Sequence, residues 1–541
     1  MMNGSRHYKL VQNDRQMKYL LGYTLRFLVA LLVLTRNFQG CNGKAAPAHY
    51  YPRQLVDHLH QNDHYKGKLW SQRYYVWSDH FKGPGSPIFM ILGGEGHISP
   101  ETGIYYPFIS DHLAKNFGAF VVQPEHRFYG FSQPLVHANL TLEGNSQQQS
   151  AESKRELRGR TLARKMDPRV QLFTAEQALM DAVRLVQHVA QDQLRCSLNK
   201  TSSDYCPVIT VGGSYPGFLS MSARLRFPDV IDMSYAGSAP VKFYSQQVQE
   251  GDYYNHISKV AEKTIPGCSK AVRQALDDVL QEGSSSNYIP AIDVGICPGT
   301  LPDYIKSRHV FFEELFMMVG YTFANDNMGN YPPSPQTNLY KDCQIFLDDH
   351  SSAVDKVKTF LTDRLGRGSD CFNMGLQLPA GRHATISGGD WSGDGTGTDG
   401  ESWDFQTCTL LVEKIGFSHE SMFPPRNWTL DWMNAHCHAR FGVKPRPTEL
   451  VAKWKFDDLV AANASRILFT NGLNDGWSVG AVKQNLSESL LVLNFENGAH
   501  HSDLNSVGPR DTDTEDIKEG YIIIQNILAE WLDGVKALAT K

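Results

Sequence analysis

The chain predicts an α/β fold in which a mostly parallel sheet is interrupted by a mostly helical, disulfide-stapled cap domain. Three observations predict it. The apolar run Val208–Val211 ends in glycines, a serine and a Tyr-Pro-Gly string around Ser214. That pattern marks a strand turning sharply into a helix, because only small neighbours let a serine stand on so strained a turn. Two strings far downstream, ILFTNGLNDGW with Asp475 and LNFENGAHHSDL with His500, place an acid and an imidazole just after apolar runs. The order Ser, Asp, His is that of the α/β-hydrolase fold. The gap from Ser214 to Asp475 is far longer than that from Asp475 to His500. A bare sheet does not need so much chain there, so the cap is inserted between nucleophile and acid.

In chain order, residues 1–45 read as a signal peptide or signal anchor. Arg6, Lys9, Arg15 and Lys18 precede an apolar stretch whose uninterrupted part, Phe27 to Leu34, is well short of the roughly 20 residues that span a bilayer. Residues 50–240 read as the N-terminal part of the hydrolase domain, with strands at Gln72–Val76, Pro87–Leu92, Ala119–Val122 and Val208–Val211. The stretch from Thr141 to Asp167 is polar and charged and predicts an exposed loop or short surface helix. FTAEQALMDAVRLVQHVAQ predicts a helix with a Thr174–Gln177 capping box and an apolar face of Leu179, Val183, Val186 and Val189. Residues 241–446 alternate helical patterns with Gly/Pro-rich loops and form the cap. The sheet resumes over residues 447–541 with SRILFT and LLVLNF, and an amphipathic helix closes the chain.

A net charge of −5 supplies no basic field, which excludes nucleic acid as a partner. Of nine cysteines, Cys41 lies beside the leader and eight follow, an even set that fits up to four disulfides in an oxidising compartment, with Cys196 and Cys206 the expected local bridge. Sequons at Asn139, Asn199, Asn427, Asn463 and Asn485 suit the same secretory route. No cofactor is expected and no metal. His60 and His64 have Gln61 where a zinc peptidase carries glutamate, and Asp390–Glu401, although spaced like a calcium loop, lacks flanking helices and reads as a cap loop.

A serine hydroxyl needs an imidazole to take its proton and a carboxylate to hold that imidazole, and Ser214, His500 and Asp475 suit these roles. His500 and His501 compete for the base. The oxyanion hole needs two backbone donors: Tyr215 is placed for the first, and Gly94 or Glu95 of ILGGEG for the second. An esterase or lipase on this fold, or a catalytically silent binding protein, are the alternatives.

WSQRYYVW, PIFMILGGEG, QPEHRFYGFSQP, LFTAEQALMDA, VGGSYPG, WDFQTCT, ILFTNGLNDGW and NGAHHSDL occur here in the order of a known family. With them, most of the chain after residue 50 resembles the serine peptidases that include lysosomal prolyl carboxypeptidase, dipeptidyl-peptidase II and the thymus-specific serine protease. The resemblance implies Ser214, Asp475 and the first histidine of GAHH, His500, as the triad. It implies cleavage next to proline near a peptide terminus in a lysosomal or extracellular setting, by carboxypeptidase or dipeptidyl-peptidase action. Trp477 would line the proline pocket, and Glu125 with Arg127 would form a buried structural ion pair. The partners expected are proline-containing peptides, a membrane only if the leader stays uncleaved, and a second copy in a homodimer. Pro216 and Gly476 depart from the family's GGSYGG and DPW, and the segment before ILFT lacks its Asn and Tyr-Gly-Gly pattern.

Overall fold

In a computed structural model the chain falls into two units, Met1–Cys41 and Asn42–Lys541. The residues described are 44–137, 167–284, 293–302, 305–377 and 397–537, all in the second unit. All of the expected leader but residues 44 and 45, Asn139, nearly all of the polar stretch from Thr141 to Asp167 and most of the Asp390–Glu401 loop therefore lie outside them, while Lys44 bridges to Ile104 and pairs with Asp111 in the folded unit.

Eight strands form one sheet: β1 (His49–Leu55), β2 (Leu69–Trp77), β3 (Ile88–Ile91), β4 (Phe120–Pro124), β5 (Val208–Gly213), β6 (Met233–Gly237), β7 (Ile467–Gly472) and β8 (Leu490–Phe495). Their order is β1-β2-β4-β3-β5-β6-β7-β8. β2 runs antiparallel to β1 and β4, and every other pairing is parallel. Strands β3, β4 and β5 are buried along their whole length, which is why they read as continuous apolar runs without alternation. β1 and β6 escape the sequence reading. Pro52 and a register break between Tyr51 and Gln54 interrupt the pattern of β1, while β6, MSYAG, is short and poor in β-branched residues.

The main helices are α1 (Ala175–His188), α2 (Tyr215–Arg226), α3 (Asp252–Thr264), α4 (Cys268–Ser284), α5 (Arg308–Met328), α6 (Asn338–Leu347), α7 (Ala353–Leu365), α8 (Gly397–Thr407), α9 (Leu430–Phe441) and α10 (Glu515–Lys536). At the start of α1 the Gln177 amide donates to Thr174 Oγ1 at 3.3 Å. The capping box stops there. The Gln177 side chain donates instead to Asp57 Oδ1 at 2.7 Å and accepts from the His58 amide at 2.9 Å, tying α1 to the segment after β1. Leu179, Val186 and Val189 are buried as expected, but Ala182 takes the place of Val183, which is half-buried.

Glu125 and Arg127 are both buried ions, yet each has a different partner from the one expected. Glu125 pairs with Arg73 of β2. Arg127 grips Asp181 of α1 with Nε and Nη2 at 2.6 and 2.7 Å and donates to the carbonyl of Leu172 at 2.8 Å. The two ions lie just past the end of β4, and each meets a partner from a different distant segment, Arg73 of β2 and Asp181 of α1. Burial alone would push Asp181 up, but Arg127 and His58 outweigh it and hold the carboxylate down.

Three of the four disulfides, Cys268–Cys343, Cys297–Cys371 and Cys408–Cys437, lie between Ser214 and Asp475, and Cys196–Cys206 is the local bridge expected. The cap's own core is aromatic: Phe323 stacks on Phe360 at 4.8 Å and Phe417 on Phe423 at 4.9 Å. The segment with α8 and α9 packs elsewhere. Phe405, Cys408 and Cys437 share a cluster with Trp70, Tyr129 and Phe173 of the sheet domain. Among the described residues no helix is long and apolar enough to cross a membrane.

Two predictions follow from the cap. Titration under denaturing, non-reducing conditions should find no free thiol among the eight paired cysteines, and two or more would overturn the pairing. The second concerns Asp342, which is fully buried on α6. Burial and then the neighbouring Asp326 raise its carboxyl well above the ordinary range, with Arg364 only partly compensating. The folded state thus holds a proton that the unfolded chain releases, so stability falls as pH rises from the ordinary carboxylate range through the raised value. Asp342→Asn should flatten that decline in a series of melting temperatures, and an unchanged slope would exclude Asp342 as its source.

Candidate active site

The carboxyl ends of β3, β5, β7 and β8 open on one edge of the sheet, where ligands of α/β proteins bind. Ser214 follows β5 directly, and Asp475 and His500 lie on the loops after β7 and β8. Ser214 has φ 65° and ψ −133°, a conformation an L-residue holds only under constraint. Its amide donates to the Gly237 carbonyl at 2.9 Å, and its own carbonyl accepts from Phe218 at 3.1 Å to start α2. A side chain at Gly212 would strike the backbone, its Cβ lying 2.1 Å from the Pro216 oxygen. The glycine is there so that strand and helix can meet. Pro216 stands in the first turn of α2, where a missing N–H costs nothing.

Asp475 is fully buried, and its Oδ2 lies 2.5 Å from His500 Nδ1. Its Oδ1 accepts from the Trp477 amide at 3.0 Å. This contact fixes the imidazole's tautomer and leaves Nε2, on the far side of the ring, for proton transfer. The loops bearing the two residues are laced together, Leu473 donating to the Phe495 carbonyl at 2.8 Å and Asn474 to that of Gly498 at 3.0 Å. His501 is placed differently. Its ring lies against Gly213 and Tyr106, and its amide donates to Ser238 Oγ at 2.9 Å. Desolvation first, and then the adjacent His500, hold its imidazole well below the ordinary value.

Of the residues read as oxyanion donors, Tyr215 opens α2, and Gly94 packs on the elbow so closely that a Cβ there would lie 2.6 Å from Pro216 Cγ. Glu95 is near enough to Tyr215 and Tyr244 to raise both phenols, burial being the larger cause. The Tyr215 side chain belongs to a buried polar chain. Tyr129 donates to Gln406 Oε1 at 2.7 Å, Gln406 Nε2 donates to the Tyr215 hydroxyl at 3.1 Å, and that hydroxyl lies 3.1 Å from His126 Nε2. His126 Nδ1 donates to the Arg127 carbonyl at 2.7 Å, and burial pushes its imidazole down to about 4, so it is neutral and accepts from Tyr215.

Trp477 is buried in an aromatic group with Tyr253 at 4.7 Å and Phe243 at 5.2 Å. The sequons at Asn199, Asn427, Asn463 and Asn485 are exposed. Tyr106, whose hydroxyl accepts from the Gly213 amide at 3.1 Å, escapes the sequence reading. It sits in GIYYPF, which carries no motif, and only a positive φ of 57° marks it. Among the described residues Asp404, Cys408 and His436 form the one cluster with metal-ligand spacing, but Cys408 is in a disulfide and Asp404 is paired with Arg440. It holds the fold together and offers no open thiolate.

The chain is similar to several known proteins. Mouse lysosomal Pro-X carboxypeptidase is 27% identical over 471 residues, covering 84% of this chain and 83% of its own. Mouse thymus-specific serine protease is 26% identical over 511 residues, covering 91% and 89%. Among solved structures, a proline iminopeptidase of Mycobacterium smegmatis aligns with 86% of this chain and 96% of its own at 10% identity and a TM-score of 0.34. The profile of the serine carboxypeptidase S28 family matches residues 54–153 and 160–521. The chain belongs to that family and is a serine-type peptidase.

Proposed function

We propose that the chain is an exopeptidase that cleaves next to proline near a peptide terminus, with Ser214 as nucleophile, His500 as base and Asp475 as its orienting acid. The observation that carries this is the 2.5 Å contact between His500 and Asp475 on the sheet edge where Ser214 stands at φ 65°. Ser214 Oγ attacks the scissile carbonyl carbon while His500 Nε2 takes the hydroxyl proton and then gives it to the departing amine. Water attacks the acyl-enzyme next, loses its proton to His500, and Ser214 regains one as the acid leaves. The amide of Tyr215, with that of Gly94 or Glu95, receives the charge that builds on the carbonyl oxygen.

Proline carries no amide hydrogen and has a compact ring, so an aromatic pocket selects it with few hydrogen bonds. Trp477, two residues from Asp475 and packed with Tyr253 and Phe243, is the aromatic group on which this choice rests. The similarity to Pro-X carboxypeptidases favours the same choice. The cap, residues 241–446, would exclude folded proteins. A lysosomal or extracellular setting suits four disulfides and exposed sequons.

Ser214→Ala and His500→Ala should each lower kcat/KM by about 10⁴-fold or more with folding intact, and His501→Ala by less than about tenfold. Steady-state kinetics with a circular dichroism check decide this, and a reversed order of the two histidines would overturn the base assignment. Labelling of Ser214 by a fluorophosphonate probe separates an enzyme from a silent binding protein. On matched peptides, proline before the scissile bond should be cleaved at least about tenfold faster than leucine, a difference of about 1.4 kcal/mol. Equal rates, or efficient cutting inside long blocked peptides, would remove the post-proline exopeptidase reading and leave the triad standing.

A further inference from the structure

Helices from the segment between Ser214 and Asp475 hold the Asp475 loop. From α3, His256 Nε2 lies 2.9 Å from the Leu473 carbonyl and Lys263 Nζ 3.0 Å from Asn474 Oδ1. From the last turn of α5, the fully buried Asn327 spans Asp475 itself. Its Nδ2 donates to the Asn474 carbonyl at 2.8 Å, and its Oδ1 accepts from the Gly476 amide at 2.9 Å. The next residue completes the grip: the Met328 carbonyl accepts from the His500 amide at 3.2 Å, and its Sδ lies 3.3 Å from Trp477 Nε1. Two consecutive cap residues thus touch the backbone on both sides of the acid and the backbone of the base.

We propose that Asn327 is a positioning residue for the reaction, a cap-borne amide that sets the Asp475 carboxylate against His500. The inference rests on the triad reading given above. Its chemistry explains why an amide stands there. The segment around Asp475 presents one acceptor, the Asn474 carbonyl, and one donor, the Gly476 N–H, and a carboxamide meets both without charge at every pH, whereas a carboxyl does so only while protonated. A carboxylate would face the Asn474 oxygen with no proton to give, and an aliphatic side chain would leave two buried polar groups unsatisfied. Since Asp475 reaches His500 through a single 2.5 Å contact, a small shift of its loop moves the carboxylate off the imidazole. Asn327 is fully buried, so substrate binding should be spared.

The test uses the full-length chain, a proline peptide substrate and two variants across a range of pH. Asn327→Leu should lower kcat by about 100-fold with KM within about threefold, the scale expected when a catalytic group is displaced by about an ångström. Its acid limb should move to lower pH, because an imidazolium less well paired with Asp475 loses its proton more readily. Asn327→Asp behaves differently. At acid pH its carboxyl is protonated and donates to the Asn474 carbonyl, so kcat should stay within about fivefold of the parent. As that carboxyl ionises kcat should collapse, giving a descending limb that the parent lacks at the same pH. Packing alone predicts neither the acid rescue nor the new limb. A kcat within threefold of the parent in Asn327→Leu, or an Asp variant whose profile parallels the parent's, overturns the proposal. If the Leu variant does not fold, the Asp variant, equal in size to asparagine, decides alone. Ser214→Ala and Asp475→Asn run alongside: their retaining activity would overturn the triad reading itself, whereas their loss with unaffected Asn327 variants removes only the positioning role.

Discussion

The strained backbone of Ser214 is the constraint around which the sheet edge is arranged. A positive φ on a residue with a side chain persists only where its surroundings over-determine it. Here β6 takes the serine's amide, α2 takes its carbonyl, and Tyr106 accepts the amide of the residue before it. The β3 loop rests on Pro216, and His501 closes the remaining side against Gly213. His501 is thus useful as a neutral wedge, which is why two adjacent histidines need not share one task.

A second layer of polar contacts sits behind this edge and keeps it in register. Arg127 binds α1 through Asp181 and also reaches the Leu55 and Val56 carbonyls where β1 ends, so one guanidinium joins the β4 loop, a helix and the end of an edge strand. The chain from Tyr129 through Gln406 and Tyr215 to His126 does similar work nearer the serine. Each buried donor in it has an acceptor, and the neutrality of His126 removes the cost of a buried charge.

The sequence makes the elbow, the Asp475 and His500 loops and the buried strands legible because each is written locally: glycines where backbone must approach backbone, apolar runs where both sheet faces are covered. β1 and β6 are hidden because their pairing is decided by neighbours, not by their own pattern. The partners of Glu125 and Arg127 are hidden for a related reason. The string EHRFYG announces two ions at a strand end, but Arg73 and Asp181 come from distant chain. Gln177 has the spacing of a capping residue, yet Asp57 and the His58 amide compete for its side chain and win. Tyr106 and Asn327 carry no motif, since their value lies in what stands opposite them.

The disulfides Cys268–Cys343 and Cys297–Cys371 interleave, each closing a loop of about the same length, with sequence separations of 75 and 74. One bond would resist unfolding of its own loop, and loop closure on this scale stabilises by about 4 kcal/mol. Interleaving adds a topological property. A single backbone cut anywhere between Cys268 and Cys371 falls inside at least one closed loop, so neither piece can leave. A segment nicked there by another peptidase stays attached to the rest of the molecule.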